Sequence, residues 1–516
     1  MTYHHGLRAS MRAAALAVAI TMPGLADAQN EELRIVQTFE LQSIDPGSAG
    51  WRLRQAGIGE SLVVATREGD IAPGLAESWT VSEDGLAWTF TLRDGAVFHD
   101  GTPVTGDVVE HSFEILGPKA NIYSRVPVTD ITSEGQTVTF HLEKPFGAFL
   151  AYVMDPAAVV MAPAAFAEDG SVQKVIGTGP YMVGEVDLPR NLTLLRNDDY
   201  WGQVGLFETV RMEAAPSPDT RVNIALAGDA DIIQELPEAS VARINASGVT
   251  HVQQVILPRH IMLMVNAGKP QFETPELRRA FSLAIDRAGI AAAVLGDANL
   301  AATQYVPEYL SSWYLDDGTP LAYDLAEANR ILDEAGWQRG DDGIRVKDGQ
   351  RYAGTVRTFP QRAYLPVIAE ILQAQMAEIG YDLEIFVGDS TEITEGQQDG
   401  TIDLGLGIRT LMYQVPDPIA NIDLDFARGE VSPGAVGATN WFSQELTDAV
   451  AGYLSISDEA ARAPHREAIA RVLNEDLPVI PIAFTAENVG VSDRLAGFPI
   501  DSILQEWRLN EIELAE

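Results

Sequence analysis

Between Asp84-Gly85 and Asp94-Gly95, Trp88, Phe90 and Leu92 alternate with Thr89, Thr91 and Arg93. A period of two marks a strand with one buried face. The flanking Asp-Gly pairs, with a third at Asp100-Gly101, suit tight hairpin turns. Residues 78–100 therefore predict an antiparallel meander. Val138, Phe140 and Leu142 repeat the alternation, with His141 on the polar face. Residues 33–39 predict a first strand, followed by a polar stretch turning at Asp45-Pro46-Gly47. Thr105 is placed to cap a helix with Val108, Val109, Phe113 and Leu116 on one side.

From about residue 260 the pattern changes to strands alternating with longer helices. Residues 261–265 predict a short apolar strand. Thr274-Pro275 opens a helix with Pro in the favoured first position, burying Leu277, Phe281, Ala284 and Ile285. Asp324 caps another, which stops at Gly336. A third spans about 365–379 and stops at Gly380. Leu383, Ile385 and Val387 alternate as a strand, and 402–408 is another. This alternation predicts an α/β domain with a largely parallel sheet. A meander region beside an α/β region argues for at least two lobes.

Composition narrows the function. The 516 residues are 46% hydrophobic and 21% charged, enough for a large core, so overall disorder is excluded. Against 35 Lys+Arg stand 74 Asp+Glu, a net charge of −39. Such a chain repels phosphates and anionic membranes, so neither nucleic acid nor a membrane surface is an expected partner. The charge reads as a solvated acidic surface, with attraction of a cationic solute as the other reading. With no cysteine, disulfides, thiolate zinc sites, iron–sulfur clusters and cysteine nucleophiles are excluded.

Arg8 and Arg12 precede a short apolar run, 13–20, and Ala26-Asp27-Ala28 forms a small-residue cleavage site before Gln29. This order predicts an export signal over 1–28; the run is too short to span a bilayer. There is no cysteine for a lipid anchor and no later long apolar run. The expectation is a soluble, unanchored, exported protein, periplasmic in a diderm bacterium.

No H-E-x-x-H, G-x-S-x-G or phosphate-loop motif occurs. Gly405-Leu406-Gly407 lacks the third glycine of a dinucleotide fingerprint. Asp229 and Asp231 lack the terminal Glu of a calcium loop and read as a polar turn. Asp423 and Asp425 read as a solvated loop. No cofactor, metal or catalytic residue is expected.

Several motifs in order resemble bacterial extracellular solute-binding proteins of family 5, the peptide, nickel and opine receptors of ABC importers. They are Gly74-Leu75-Ala76-Glu77-Ser78-Trp79, Ser82-Glu83-Asp84-Gly85, 88–95 and Phe98-His99-Asp100-Gly101-Thr102-Pro103. Gly177-Thr178-Gly179-Pro180-Tyr181 and Asn197-Asp198-Asp199-Tyr200-Trp201 follow. Thr220-Arg221 with 228–231, Arg278-Arg279-Ala280-Phe281 with 284–286, and Ala335-Gly336-Trp337 complete the series. The resemblance implies a two-lobed α/β periplasmic-binding-protein clamshell, class II, cluster C type, with a subdomain inserted in lobe one. It places lobe one at 29–50, 181–259 and 484–516, the subdomain at 51–180 and lobe two at 260–483.

It also implies capture of a small solute between the lobes and delivery to a permease with its ATPases, by a monomer that performs no chemistry. Candidate cleft residues are Trp51, Arg52 and Arg54; Tyr123 and Arg125; Arg259 and His260; Arg409, Met412, Tyr413 and Gln414; and Asn440 and Trp441. Peptide-binding relatives place an Asp where Gln414 stands, and the nickel-binding relative has a His in the stretch matching 429–440, which here has none. The arginines suit a carboxylate. The expected solute is peptide-like, opine-like or otherwise carboxylate-bearing, with a metal chelate as the alternative. From other classes, an exported hydrolase and a periplasmic sensor or chaperone remain as readings.

Overall fold

The computed structural model describes residues 32–66, 71–120, 122–308, 310–411, 417–427, 439–456, 458–500 and 506–516. The expected export signal and the candidates Met412, Tyr413 and Gln414 lie outside them.

Two long antiparallel strands, Thr250–Val265 and Val479–Ser492, cross the molecule and organise it. At one end they meet Ile232–Ile233, then Glu32–Gln37, Thr209–Ala214, Asn191–Arg196 and Tyr181–Asp187. At the other end they meet Leu404–Thr410, Ala353–Thr358 and Asp382–Val387. One ten-stranded sheet thus runs through both lobes. The register between the long strands slips between Ile256 and His260. Pro258 lies in that gap and has no N–H to give the ladder.

This corrects two expectations. The strand predicted at 261–265 is the second half of a 16-residue strand. Its first half carries His251, Gln253 and Gln254 on partly exposed positions, which hid it from an apolar search. The sheet is also mixed. Parallel pairing holds between Glu32–Gln37 and its two neighbours and between Ala353–Thr358 and its two, but the long strands pair antiparallel on every side.

The meander is a four-stranded antiparallel sheet in the order Ala76–Val81, Ala87–Leu92, Thr137–Leu142, Val128–Glu134. Its inner face brings Phe90 edge-on to Phe140 at 5.8 Å, and Phe113 of helix Gly106–Leu116 packs on Phe140 at 5.0 Å. On the other face Thr89 and Thr139 hydroxyls meet at 2.9 Å. The helices begin where their caps predict: Thr274 accepts from Leu277 N and Asp324 from Glu327 N.

Two main cores result. One gathers Leu33, Leu53, Tyr181, Val210 and Val491 with Trp507 and Leu509 of the C-terminal stretch. The other is continuous from Phe90 and Tyr152 of the inserted subdomain through Ile261 to Leu406 and Tyr453. The subdomain and the second lobe are therefore packed together.

The Gly177-Thr178-Gly179 motif is a close-approach device. A Cβ on Gly177 would sit 2.2 Å from the Ile58 carbonyl oxygen, and one on Gly179 2.3 Å from that of Gly57. Asn197 Nδ2 donates to the Gly179 carbonyl at 3.0 Å, tying the next motif to the same seam.

Candidate functional site

Between the lobes lies a cavity of about 270 Å³. The first lobe lines it with Thr38, Phe39, Trp51, Arg52, Gln234 and Glu235. The long strands supply Arg259 and Glu487, and the second lobe supplies Arg362, Arg409 and Thr410.

Helix Pro46–Gln55 presents Trp51 and Arg52. Asp45 caps it, accepting from Gly47 N at 2.8 Å, and Pro46 opens the first turn. The Arg52 guanidinium lies 4.0 Å over the Trp51 ring and donates to Gln55 Oε1 at 2.6 Å. Across the cleft, Arg409 stands near the end of strand Leu404–Thr410. Its Nε and Nη2 donate to the two Asp425 oxygens at 2.7 and 2.9 Å, and Nη2 also to Asn421 Oδ1 at 2.8 Å. No described residue engages its Nη1. The fork is thus held by one edge with a donor left over.

Arg259 donates to Thr410 Oγ1 at 3.2 Å and lies 3.7 Å from Glu235 and 3.8 Å from Glu487. Arg362 pairs with Glu235 across the lobes and lies 5.5 Å from the Phe39 ring. Burial, with Glu235 nearby, raises the Glu487 carboxyl above the usual carboxylate range. Among the described lining residues and their ion-pair partners, four guanidiniums thus face three carboxylates, Glu235, Glu487 and Asp425. Within a strongly acidic chain, this cavity is locally positive.

The remaining candidates are placed elsewhere. Arg54 donates to the Met154 carbonyl at 2.5 Å and pairs with Glu506 at 3.4 Å, beside a separate cavity. Tyr123 packs 5.1 Å from Phe113, with its hydroxyl pKa pushed up by burial. Arg125 forms a two-pronged pair with Asp423 of the second lobe, which also accepts from Tyr152 OH at 3.2 Å. His260 is fully buried between Tyr305 and Phe484, at 4.7 and 5.0 Å, and burial pushes its pKa down to about 3. Asn440 donates to Asn266 at 2.9 Å, and Trp441 packs against Phe426 at 6.2 Å.

Asp423 and Asp425 correct the expectation of a solvated loop. They are 4% and 2% exposed, on helix Pro418–Phe426, each held by an arginine. The overlooked signal was Asp417-Pro418, a cap followed by Pro at the first helical position. Asp231 pairs with Arg494 at 2.6 and 2.7 Å, and no metal-holding cluster occurs among the described residues. Sequence reasoning also missed Phe39, Glu235, Arg362 and Glu487. Only Glu487 carried a signal, as the one charged residue of strand Val479–Ser492.

A cavity between two α/β lobes, lined by anchors from both and spanned by shared strands, defines a clamshell binding protein. The chain belongs to the bacterial extracellular solute-binding proteins of family 5, whose "family 5 Middle" model matches residues 70–429. It is 27% identical over 478 residues to the nickel-binding periplasmic protein of Escherichia coli (strain K12), covering 89% of this chain and 90% of that one. It is 24% identical over 474 residues to the glutathione-binding protein GsiB of the same strain, covering 88% and 89%. The structure of NikZ from Campylobacter jejuni in complex with Ni(L-His) shares the fold at a TM-score of 0.83 and 18% identity, covering 94% of this chain and 99% of that one. Members of this family are binding proteins rather than enzymes. Among the described residues no helix is long and apolar enough to cross a membrane.

Proposed function

We propose that this chain is the solute-binding component of an ABC importer and that its solute is small, polar and carries a carboxylate. The observation that carries the reading is the locally positive cavity, with Arg52 on one lobe and the pre-oriented Arg409 on the other. An arginine fork matches a carboxylate in charge and shape. Phe39 and Trp51 offer apolar faces beside it. The solute would favour closure by touching both lobes, and the closed form would dock on the permease. Residues 1–28 would direct export to the periplasm, and the chain would act there as a monomer without chemistry. The lobes would divide at 259/260 and 483/484, where the register of the long strands slips nearby.

A second reading is a metal chelate. The similarity to the nickel-binding protein favours it. Among the described residues no histidine lines the cavity, so the chelate's own carboxylates would face the arginines.

The test is native mass spectrometry of protein purified from its own periplasm, followed by a thermal-shift screen of peptides, opines and nickel chelates. A bound solute raises the melting temperature by mass action. A co-purified carboxylate recovered unaltered supports the reading. A midpoint unmoved by all three classes, or conversion of the solute, overturns it.

A further inference from the structure

Among the described residues, the neutral polar side chains that line the arginine cavity, apart from Trp51, are Thr38, Gln55, Gln234 and Thr410. Gln55 Oε1 accepts from Arg52 at 2.6 Å, Thr410 Oγ1 accepts from Arg259 at 3.2 Å, and Thr38 Oγ1 is sealed from solvent. Gln234 differs from these. It is 7% exposed, its side chain bonds to no described residue, and neither amide atom is sealed off.

The chain fixes where that amide stands. Thr38 and Phe39 follow the end of strand Glu32–Gln37, and Gln234 and Glu235 follow the end of its parallel neighbour Ile232–Ile233. The carboxyl ends of parallel strands are where α/β sheets receive ligands. Gln234 N donates to the Val36 carbonyl at 2.9 Å, and Leu236 N to that of Asn488 at 2.9 Å. Glu235 between them has a φ of 52°, and Arg221 Nη2 donates to its carbonyl at 3.0 Å. The backbone is thus pinned on both sides of the open amide.

We infer that Gln234 is a specificity-determining residue, its Oε1 accepting a hydrogen bond from an uncharged N–H of the solute, such as an amide. The inference rests on the carboxylate reading and narrows it to amide-bearing acids of the N-acyl amino acid kind. The cavity is rich in donors and poor in acceptors. Glu235 Oε1 faces Arg362 and Arg259, Glu487 Oε2 faces Arg259, and the other oxygen of each is sealed from solvent. Among the described lining side chains, Gln234 is therefore the acceptor left open for a solute N–H. A cationic donor is disfavoured beside four guanidiniums, which leaves a neutral one. A solute without an N–H would bury this amide unmet, and a site built to bond an N–H rejects the analogue lacking it.

The test titrates the intact protein by isothermal calorimetry with N-acetylglycine, acetoxyacetic acid and levulinic acid. These share one skeleton and a carboxylate, and differ in carrying N–H, oxygen or methylene at the same place. N-acetylglycine should bind roughly tenfold more tightly than either analogue. Gln234→Met, which keeps the length and removes both polar atoms, should level the series. Gln234→Leu is the second variant, and thermal melts check that both fold. Equal affinity for all three in the unaltered protein refutes the N–H contact and leaves the carboxylate reading intact. A preference for the amide that survives in both variants places its acceptor elsewhere and also refutes the inference. Failure of all three to bind refutes both readings.

Discussion

Glu60 offers a quantitative test of how the aromatic motif Asn197–Trp201 is built into the fold. Its carboxylate accepts from Tyr200 OH at 2.9 Å and Trp201 Nε1 at 3.1 Å, locking Asn197–Trp201 against the start of the inserted subdomain. The Arg93 guanidinium lies over the Trp201 ring, 4.2 Å from its centre. Burial raises the pKa from 4.5 to about 7, opposed by the hydrogen bonds to Trp201 and Tyr200 and assisted by the neighbouring Glu506. A carboxyl group raised on folding stabilises the fold below its unfolded pKa and loses that contribution as pH climbs through the folded one. The window is therefore pH 4.5 to 7. The gap corresponds to about 3 kcal/mol. This is a ceiling, because the residue is half-buried and lines a cavity of about 200 Å³ where water screens part of the charge.

Glu60→Gln mimics the protonated acid: its oxygen accepts from Trp201 and its amide donates to the Tyr200 oxygen. Urea unfolding followed by tryptophan fluorescence should place the variant within about 1 kcal/mol of the unaltered protein at pH 5. At pH 8 it should be more stable, by up to about 3 kcal/mol. The difference between the two pH values is the measured quantity, so other titrating groups cancel. A stability difference that is the same at pH 5 and pH 8 refutes the placement of this carboxyl.

Arg409→Lys keeps a cation beside Asp425 but loses the fork. Calorimetry should show carboxylate solutes bound about tenfold more weakly or worse, since a charged hydrogen bond is worth about 1.5–3 kcal/mol, and an unchanged affinity would remove Arg409 from the site. Asp423→Asn breaks the pair that joins Arg125 to the second lobe. X-ray scattering of the unliganded variant should show a larger radius of gyration, and an identical curve would mean that the pair does not hold the lobes together. Gly179→Ala puts a methyl 2.3 Å from the Gly57 carbonyl oxygen. It should cost more than about 2 kcal/mol in a chemical melt, and a silent substitution would contradict the packing of that seam.

What was legible in the sequence depended on how local its cause was. Trp88-Thr89-Phe90-Thr91-Leu92 alternates because one face of that strand is core and the other is not, so the strand is visible in five residues. Thr274 and Asp324 announced their helices because a cap acts within three residues. The long strands were half-hidden, since Thr250–Val265 changes from partly exposed to fully buried along its length as it leaves one lobe for the other. The cavity was least legible. Arg52, Arg259 and Arg409 could be nominated from the resemblance, but nothing near Arg362 or Glu235 in sequence reports that they meet across 127 positions. Asp423 and Asp425 are the sharpest case: in a chain with 74 acidic residues, two more near each other signalled only solvent. Their burial is decided by arginines 298 and 16 positions away.

On the proposed reading, those same arginines explain why closure and binding are one event. Arg52 belongs to the first lobe and Arg409 to the second, so a carboxylate can meet both only when the lobes are shut. The open form offers it one guanidinium, and the closed form adds the other. A ligand shifts a conformational equilibrium by its differential affinity for the two states. Here that difference is the second arginine's contribution, about 1.5–3 kcal/mol, or roughly ten- to a hundredfold. The overall charge of −39 works against an anionic solute at long range. Salt confines that repulsion to about 8–10 Å. Inside the cleft the local excess of guanidinium decides the outcome, so the charge of the whole chain indicates the wrong sign of guest, and the lobes need the guest's own carboxylate to balance the surface they bury when they meet.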